Sequence, residues 1–311
     1  MGAREIPHSL ASPPAAHARR QDAPAAIRNA ITIDVEDYFH VSAFASHIPR
    51  DAWDRLPCRV ERNVDEILAL LGEHQVHATF FMLGWVAERY PGLVRRVVDQ
   101  GHELASHGYA HQRATDQGHK EFTHDIVSAK RLLEDIGGAA VKGYRAPSFS
   151  IGRDNQWALA CLSEAGYRYS SSIYPIRHDH YGMHEAPRFA YYPEGGRGLL
   201  ELPVTTVRLF NRNLPAGGGG YFRLLPYSVS RWCLERVNRV DRQPCIFYFH
   251  PWEIDPEQPR QRGVGLKTHF RHYVNLSSMK RRIRALLGDF KWDRVDRLFL
   301  DLEGKHEPAH V

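Results

Sequence analysis

Short apolar runs rich in β-branched residues alternate with amphipathic segments along most of the chain. This alternation constrains the fold more than any other feature. Residues 30–33, 78–83, 141–144, 167–170, 201–205 and 245–249 read as strands bounded by turn residues. Between them, residues 63–72, 91–100, 122–136, 155–165 and 229–240 carry helical spacing. In 63–72, Asn63 is placed to cap, Glu66 falls at the third helical position and Gly72 can stop the helix. In 91–100, Pro91 suits a first turn and Leu93, Val94, Val97 and Val98 share one face. Strand–helix alternation of this kind builds a parallel sheet or a (β/α) barrel. Both place their chemistry at the C-terminal ends of strands.

Polar residues gather at those ends. The first strand runs into Asp34-Val35-Glu36-Asp37, three acids where a helix cap needs one. Glu103-Leu104-Ala105 leads into Ser106-His107-Gly108-Tyr109-Ala110-His111, and two imidazoles four residues apart close on one ion if the segment turns once between them. The chain has 19 histidines, so the pair gains weight only from partners elsewhere. Arg145 closes 141–144, and the last strand ends in His250-Pro251-Trp252-Glu253. In a barrel these ends share one rim, so residues distant in sequence meet.

The bulk numbers are those of a globular chain: 43% hydrophobic and 25% charged over 311 residues. A net charge of +5 fits a solvated basic face, and no nucleic-acid partner is expected. The four cysteines form no CxxC pair and read as reduced and buried. No apolar run approaches the roughly 18 residues of a membrane span. Residues 1–28 form a tail rich in Ala, Pro and Arg. Pro13, Pro14, His17, Arg19, Arg20 and Gln21 interrupt any signal-peptide core, so disorder and a cytoplasmic location are expected. Residues 217–220, all Gly, read as a flexible loop, and 260–271 as another loop. Residues 279–287 form a basic helix with a stripe at Met279, Ile283, Leu286 and Leu287. That pattern favours packing on the barrel with cations in water over a membrane contact.

With these residues assembled, the chain resembles the polysaccharide deacetylase family, carbohydrate esterase family 4 with its NodB homology domain, over about residues 29–255. The motifs are Asp34-Val35-Glu36-Asp37, His107 to His111, Arg145-Ala146-Pro147 and Phe249-His250, in the family's order. Further stretches are similar to the branch found in exopolysaccharide loci with exosortase and PEP-CTERM proteins. These are Asp34 to Phe39, Gly101-His102-Glu103, Gly219 to Arg223, His250 to Glu253 and His272 to Leu276. The resemblance implies an α/β fold, a distorted seven-stranded (β/α) barrel, followed by a family-specific C-terminal extension, 256–311, packed on it. It implies a metal-dependent hydrolase that removes N-acetyl groups from amino sugars of a polysaccharide or its precursor, in exopolysaccharide biosynthesis. The cofactor would be a divalent metal, Zn²⁺ first, with Co²⁺, Ni²⁺ or Mn²⁺ also suited to the donors. Asp37, His107 and His111 would hold it, Asp37 because it directly follows another acid. The base would be Asp34 or Glu36, oriented by Arg145, and His250 would be the acid. Pro147, Tyr221 and Trp252 would line the substrate groove, with Trp85 a further ring for a sugar. Glu253 or Asp255 would bond the second nitrogen of His250. The partner would be a carbohydrate containing N-acetylhexosamine. A deformylase or cyclic amidase uses similar parts; an inactive carbohydrate-binding relative would lack a ligand, base or acid, and none is missing.

Overall fold

The computed structural model describes residues 27–177, 182–300 and 309–310. The expected N-terminal tail lies outside the described residues except for its last two, and Arg28 already opens the first strand.

The first half of the chain runs β1 (Arg28–Val35), α1 (Val60–Glu73), β2 (Thr79–Met82), α2 (Gly84–Arg89), α3 (Pro91–Asp99), β3 (Glu103–Ser106), α4 (His119–Gly137), β4 (Gly143–Tyr144), α5 (Trp157–Glu164) and β5 (Tyr169–Ser170). Two short strands, β6 (Tyr191–Tyr192) and β7 (Leu200–Glu201), precede a hairpin of β8 (Thr206–Leu209) and β9 (Arg212–Pro215). Then come α6 (Gly219–Leu224), α7 (Tyr227–Arg236) and β10 (Ile246–Phe249). The C-terminal segment holds α8 (Leu266–Tyr273), α9 (Leu276–Asp289), β11 (Lys291–Asp293), α10 (Val295–Phe299) and β12 (Ala309–His310).

Seven strands form one parallel arc in the order β10-β1-β2-β3-β4-β5-β7. β6 pairs antiparallel with β7, β12 lies beside β6, and β11 pairs with the start of β1. These three accessory strands span two or three residues each, too few to show a period in the sequence. The central strands are buried along their length, as strands with both faces covered must be. Register fixes the rim: Ile33 pairs with Phe249 and Val35 with Met82, Met82 with Ser106, and Ser106 with Tyr144. The residues that follow these positions therefore emerge side by side.

The arc closes between β7 and β10 through the glycine run. Tyr248 N donates to Gly217 O at 2.7 Å, and Gly218 bridges Tyr248. A Cβ on Gly218, at φ +119°, would lie 1.9 Å from Tyr248 O. The run expected to be a flexible loop is a seam where two backbones touch, which only glycine allows.

Two other expectations change. α1 begins at Val60, and Asn63 is inside it, donating to Asp255 rather than capping. The stretch expected as a loop, 260–271, contains most of α8. α9 buries Met279, Ile283, Leu286 and Leu287. Its cations reach α1 through Lys280–Glu66 at 3.1 Å and Arg284–Glu73 at 2.8 Å. Such surface pairs add little, so the apolar stripe holds the helix. All four cysteines are free. Among the described residues no helix is long and apolar enough to cross a membrane.

Glu201 in β7 is fully buried. Its Oε1 accepts Ser172 N and Ile173 N, while Oε2 has no partner. Burial pushes its carboxyl up to about 7 despite those bonds. Above the ordinary value of 4.5 the unfolded chain releases this proton while the folded chain keeps it. Stability from this group is therefore full below that value and is lost as pH rises through about 7. Glu201→Gln should unfold like the parent at pH 5 and be more stable at pH 8, by about 2–3 kcal/mol in chemical denaturation. Equal stability of the two at both pH values would contradict this.

Candidate active site

The site is built where β1, β3, β4 and β10 end. Asp34, one residue from the end of β1, accepts Arg145 Nη1 at 2.6 Å. Arg145 follows β4 and is wholly buried. Its remaining donors reach Thr32 Oγ1 (2.8 Å), Ser171 O (3.2 Å) and Ser171 Oγ (2.9 Å), and its guanidinium lies 4.1 Å from the centre of the Phe81 ring. A buried guanidinium with each nitrogen engaged is held in one orientation, and so is the carboxylate it grips.

His107 directly follows β3. Its Nδ1 lies 2.8 Å from Arg145 O. A carbonyl only accepts, so Nδ1 carries the proton and Nε2 keeps its lone pair. The chain then turns sharply. Gly108 has φ +75°, and a Cβ there would sit 2.8 Å from Asp125 Oδ2. Asp125 in turn accepts Tyr109 N at 3.1 Å. His111 itself has φ +50°, a left-handed conformation that costs a non-glycine residue about 1 kcal/mol or more. This strained turn brings the His111 ring to 5.3 Å from that of His107.

The carboxylate that joins the two imidazoles is Glu36. One ligand atom each from Glu36, His107 and His111 lies within 4.8 Å of the others, and all three residues are buried. Glu36 Oε2 is 2.8 Å from His111 Nε2 and has no other partner. Asp37, expected as the ligand, points elsewhere. Its Oδ2 accepts Val60 N at 2.8 Å, Arg59 N and the Cys58 thiol, and its Oδ1 accepts Tyr38 N. It satisfies the first amides of α1, the work of an N-cap contributed from a distant segment.

His250 follows β10 and remains 18% exposed at its side chain. Its Nδ1 donates to Glu253 Oε1 at 2.7 Å. Its Nε2 faces Glu36 Oε1 at 3.4 Å and Asp34 Oδ2 at 3.9 Å. Asp255 is not near it; that carboxylate pairs with Arg59 and Arg62. Burial disfavours charge on His250, but Glu36, Glu253 and Asp34 outweigh it and raise the imidazole to about 9. Burial dominates at His107 and pushes it down to about 4, against the pull of Asp34 and Glu36. Burial also opposes ionisation of Glu36, yet His111 and His250 hold its carboxyl well below the usual range. One imidazole is thus kept neutral and another charged within one rim.

Of the expected sugar-facing rings, Trp252 reaches the site, where its Nε1 donates to Glu36 Oε1 at 3.3 Å. Trp252 is sandwiched between His250 (5.1 Å, 18°) and His272 (4.2 Å, 14°), so both faces are taken. Tyr221 lines a small cavity with Pro215, Leu225, Ser230 and Cys233, away from the imidazoles. Trp85 is buried against Phe39, His40 and Trp53. Pro147 is buried and opens a single turn after Arg145, beside Gly108. The serines that hold Arg145 and its neighbour, Ser171 and Ser172, were not legible: a serine run looks like any loop.

Paired carboxylates, imidazoles and a gripping arginine on a barrel rim define a hydrolase-type site. Residues 52–170 match the family model for polysaccharide deacetylase, and residues 171–300 match a domain of unknown function, DUF3473. A Bacillus cereus peptidoglycan-N-acetylglucosamine deacetylase is 36% identical over 95 residues, 30% of this chain and 34% of that protein. A Sinorhizobium fredii chitooligosaccharide deacetylase is 39% identical over 83 residues, 26% of this chain and 39% of that one. The match spans under half the length of these curated relatives. A Mycobacterium smegmatis crystal structure assigned as a polysaccharide deacetylase superposes with TM-score 0.59 at 20% identity, covering 91% of this chain and 93% of its own. Residues 52–170 carry a polysaccharide deacetylase domain, of the NodB-homology type of carbohydrate esterase family 4. The two matched segments meet between Ser170 and Ser171 and both contribute strands to one continuous sheet, while β1 precedes them.

Glu36 and Asp37 can be told apart in solution. His107→Ala or Glu36→Gln should abolish one-to-one Zn²⁺ binding in calorimetric titration. Asp37→Ala should still bind the ion but lose about 1–2 kcal/mol of stability with its cap. Loss of ion binding by Asp37→Ala with an unchanged melting temperature would reverse the assignment.

Proposed function

We propose that the protein is a divalent-metal-dependent hydrolase that removes N-acetyl groups from amino sugars of a polysaccharide or its precursor. The observation that carries this reading is the convergence of an arginine-held carboxylate and a protonated imidazole on the Glu36–His107–His111 cluster. The relatives' names, deacetylases of peptidoglycan and chitooligosaccharides, support the substrate class. The resemblance to the exosortase-associated branch supports a role in exopolysaccharide biosynthesis.

The donors fit a cation. Glu36 Oε2 and His111 Nε2 are both electron-pair donors when His111 is neutral in that tautomer, and at 2.8 Å they repel unless a proton or cation lies between them. One carboxylate and two imidazoles suit Zn²⁺ first, then Co²⁺, Ni²⁺ or Mn²⁺, and leave coordination positions open for chemistry. A divalent cation held by Glu36, His107 and His111 would acidify a bound water and polarise the acetyl carbonyl.

The chain's own residues do the rest. Asp34, aimed by Arg145, accepts the proton of the attacking water. Arg145 holds Asp34 still through its Nη1 at 2.6 Å. His250, charged and facing the same point, gives its Nε2 proton to the amine nitrogen as the C–N bond breaks. Glu253 holds the other side of that ring.

The test is acetate release from N-acetylglucosamine oligomers by chelated enzyme, before and after Zn²⁺ is restored. Activity should vanish with the ion and return with it. Asp34→Asn should cut kcat by about 10²–10⁴-fold while the ion still binds. Full ion binding with no acetate release would contradict the reading.

A further inference from the structure

His250 is supported by more than Glu253. Glu253 is completely buried, and its second oxygen, Oε2, accepts Arg223 Nε at 2.6 Å. Arg223, in α6, is buried as well. Its other donors go to main-chain carbonyls at the end of α8 and just beyond. Nη1 reaches His272 O (2.7 Å) and Val274 O (3.0 Å), and Nη2 reaches Arg271 O (3.0 Å). The backbone of Arg223 is held in turn: its carbonyl accepts Asn275 Nδ2 at 2.9 Å and Arg282 Nη1 at 2.8 Å. His272 closes the frame by stacking on Trp252, whose opposite face lies on the His250 ring. Gln258 fixes His272 through its Nε2 at 2.7 Å.

We propose that Arg223 is a positioning residue that transmits the fixed backbone of α8 through Glu253 to the proton donor His250. The matched segment of unknown function thus supplies the frame for the acid. This rests on the reading of His250 as the group that protonates the leaving amine. Fork geometry matters here. Arg223 joins one carboxylate and three carbonyls from a single plane, which a lysine ammonium cannot reproduce. If the frame slackens, Nε2 no longer points at the leaving nitrogen, although the ring remains present. Misplacement by about 1 Å is enough to cost roughly 10²-fold.

The chemistry offers a readout that a merely structural role would not move. Breaking the amide C–N bond requires a proton for the departing nitrogen, and His250 supplies it. Breaking the C–O bond of an aryl acetate releases a phenolate that leaves with the electron pair and needs no proton. Arg223→Lys and Glu253→Gln would each be assayed on an N-acetylglucosamine oligomer and on 4-nitrophenyl acetate, with Zn²⁺ binding measured alongside. The two variants change volume little, and either one alone suffices. In a variant that binds Zn²⁺ one-to-one, kcat for the oligomer should fall about tenfold to a hundredfold with KM within about twofold, while aryl acetate hydrolysis stays within about threefold. Equal loss on both substrates, or no loss on either, would overturn the positioning role. A parent enzyme that hydrolyses the ester but releases no acetate from any N-acetyl sugar would instead overturn the deacetylase reading beneath it.

Discussion

The buried guanidinium of Arg145 is the constraint on which the rim depends. A charge removed from water must be paired and hydrogen-bonded, or the fold loses several kcal/mol. Arg145 meets this demand by drawing in Thr32 and Asp34 from β1 and Ser171 from the end of β5. Its own carbonyl orients His107 at the end of β3. One residue thus ties β1, β3, β4 and β5 together at the level where the chemistry sits. The same contacts that satisfy the cation fix the carboxylate and the tautomer of an imidazole.

Around it, like charges are separated by assignment rather than by distance. Asp34 belongs to Arg145, Glu36 to the imidazoles, and Asp37 to the amides of α1. Each acid has different partners, so three carboxylates share four positions of sequence without competing for one group. Glu253 repeats the pattern on the other side of His250, with Arg223 as its counter-ion. The strain accepted at His111 belongs to the same logic. A left-handed residue and a left-handed glycine make the single turn that aims two imidazoles at one carboxylate.

Much of this was legible in the sequence. The alternation of strands and helices predicts the parallel arc, and the polar residues at strand ends predict which groups meet. What failed were inferences about direction. Adjacency of Glu36 and Asp37 suggested that the second acid was the ligand. Glu36 and Asp37 lie past the end of β1, where the chain has left the strand, so neither adjacency nor strand period fixes their directions. Trp252 and Tyr221 looked like sugar platforms because aromatic type says nothing about which face is covered. The glycines at 217–220 looked mobile because composition cannot distinguish freedom from close approach. The serines around Arg145 and the partnership of Arg223 with Glu253 join residues 26 and 30 positions apart, and no local pattern announces them.

The central claim is that Glu36, not Asp37, completes the imidazole pair. Anomalous diffraction at the zinc edge from crystals grown with Zn²⁺ tests it directly. The account predicts one peak, with Glu36 oxygen, His107 nitrogen and His111 nitrogen at about 2.0–2.2 Å and Asp37 still on the amides of Arg59 and Val60. A peak ligated by Asp37, or none between the two imidazoles, would contradict it.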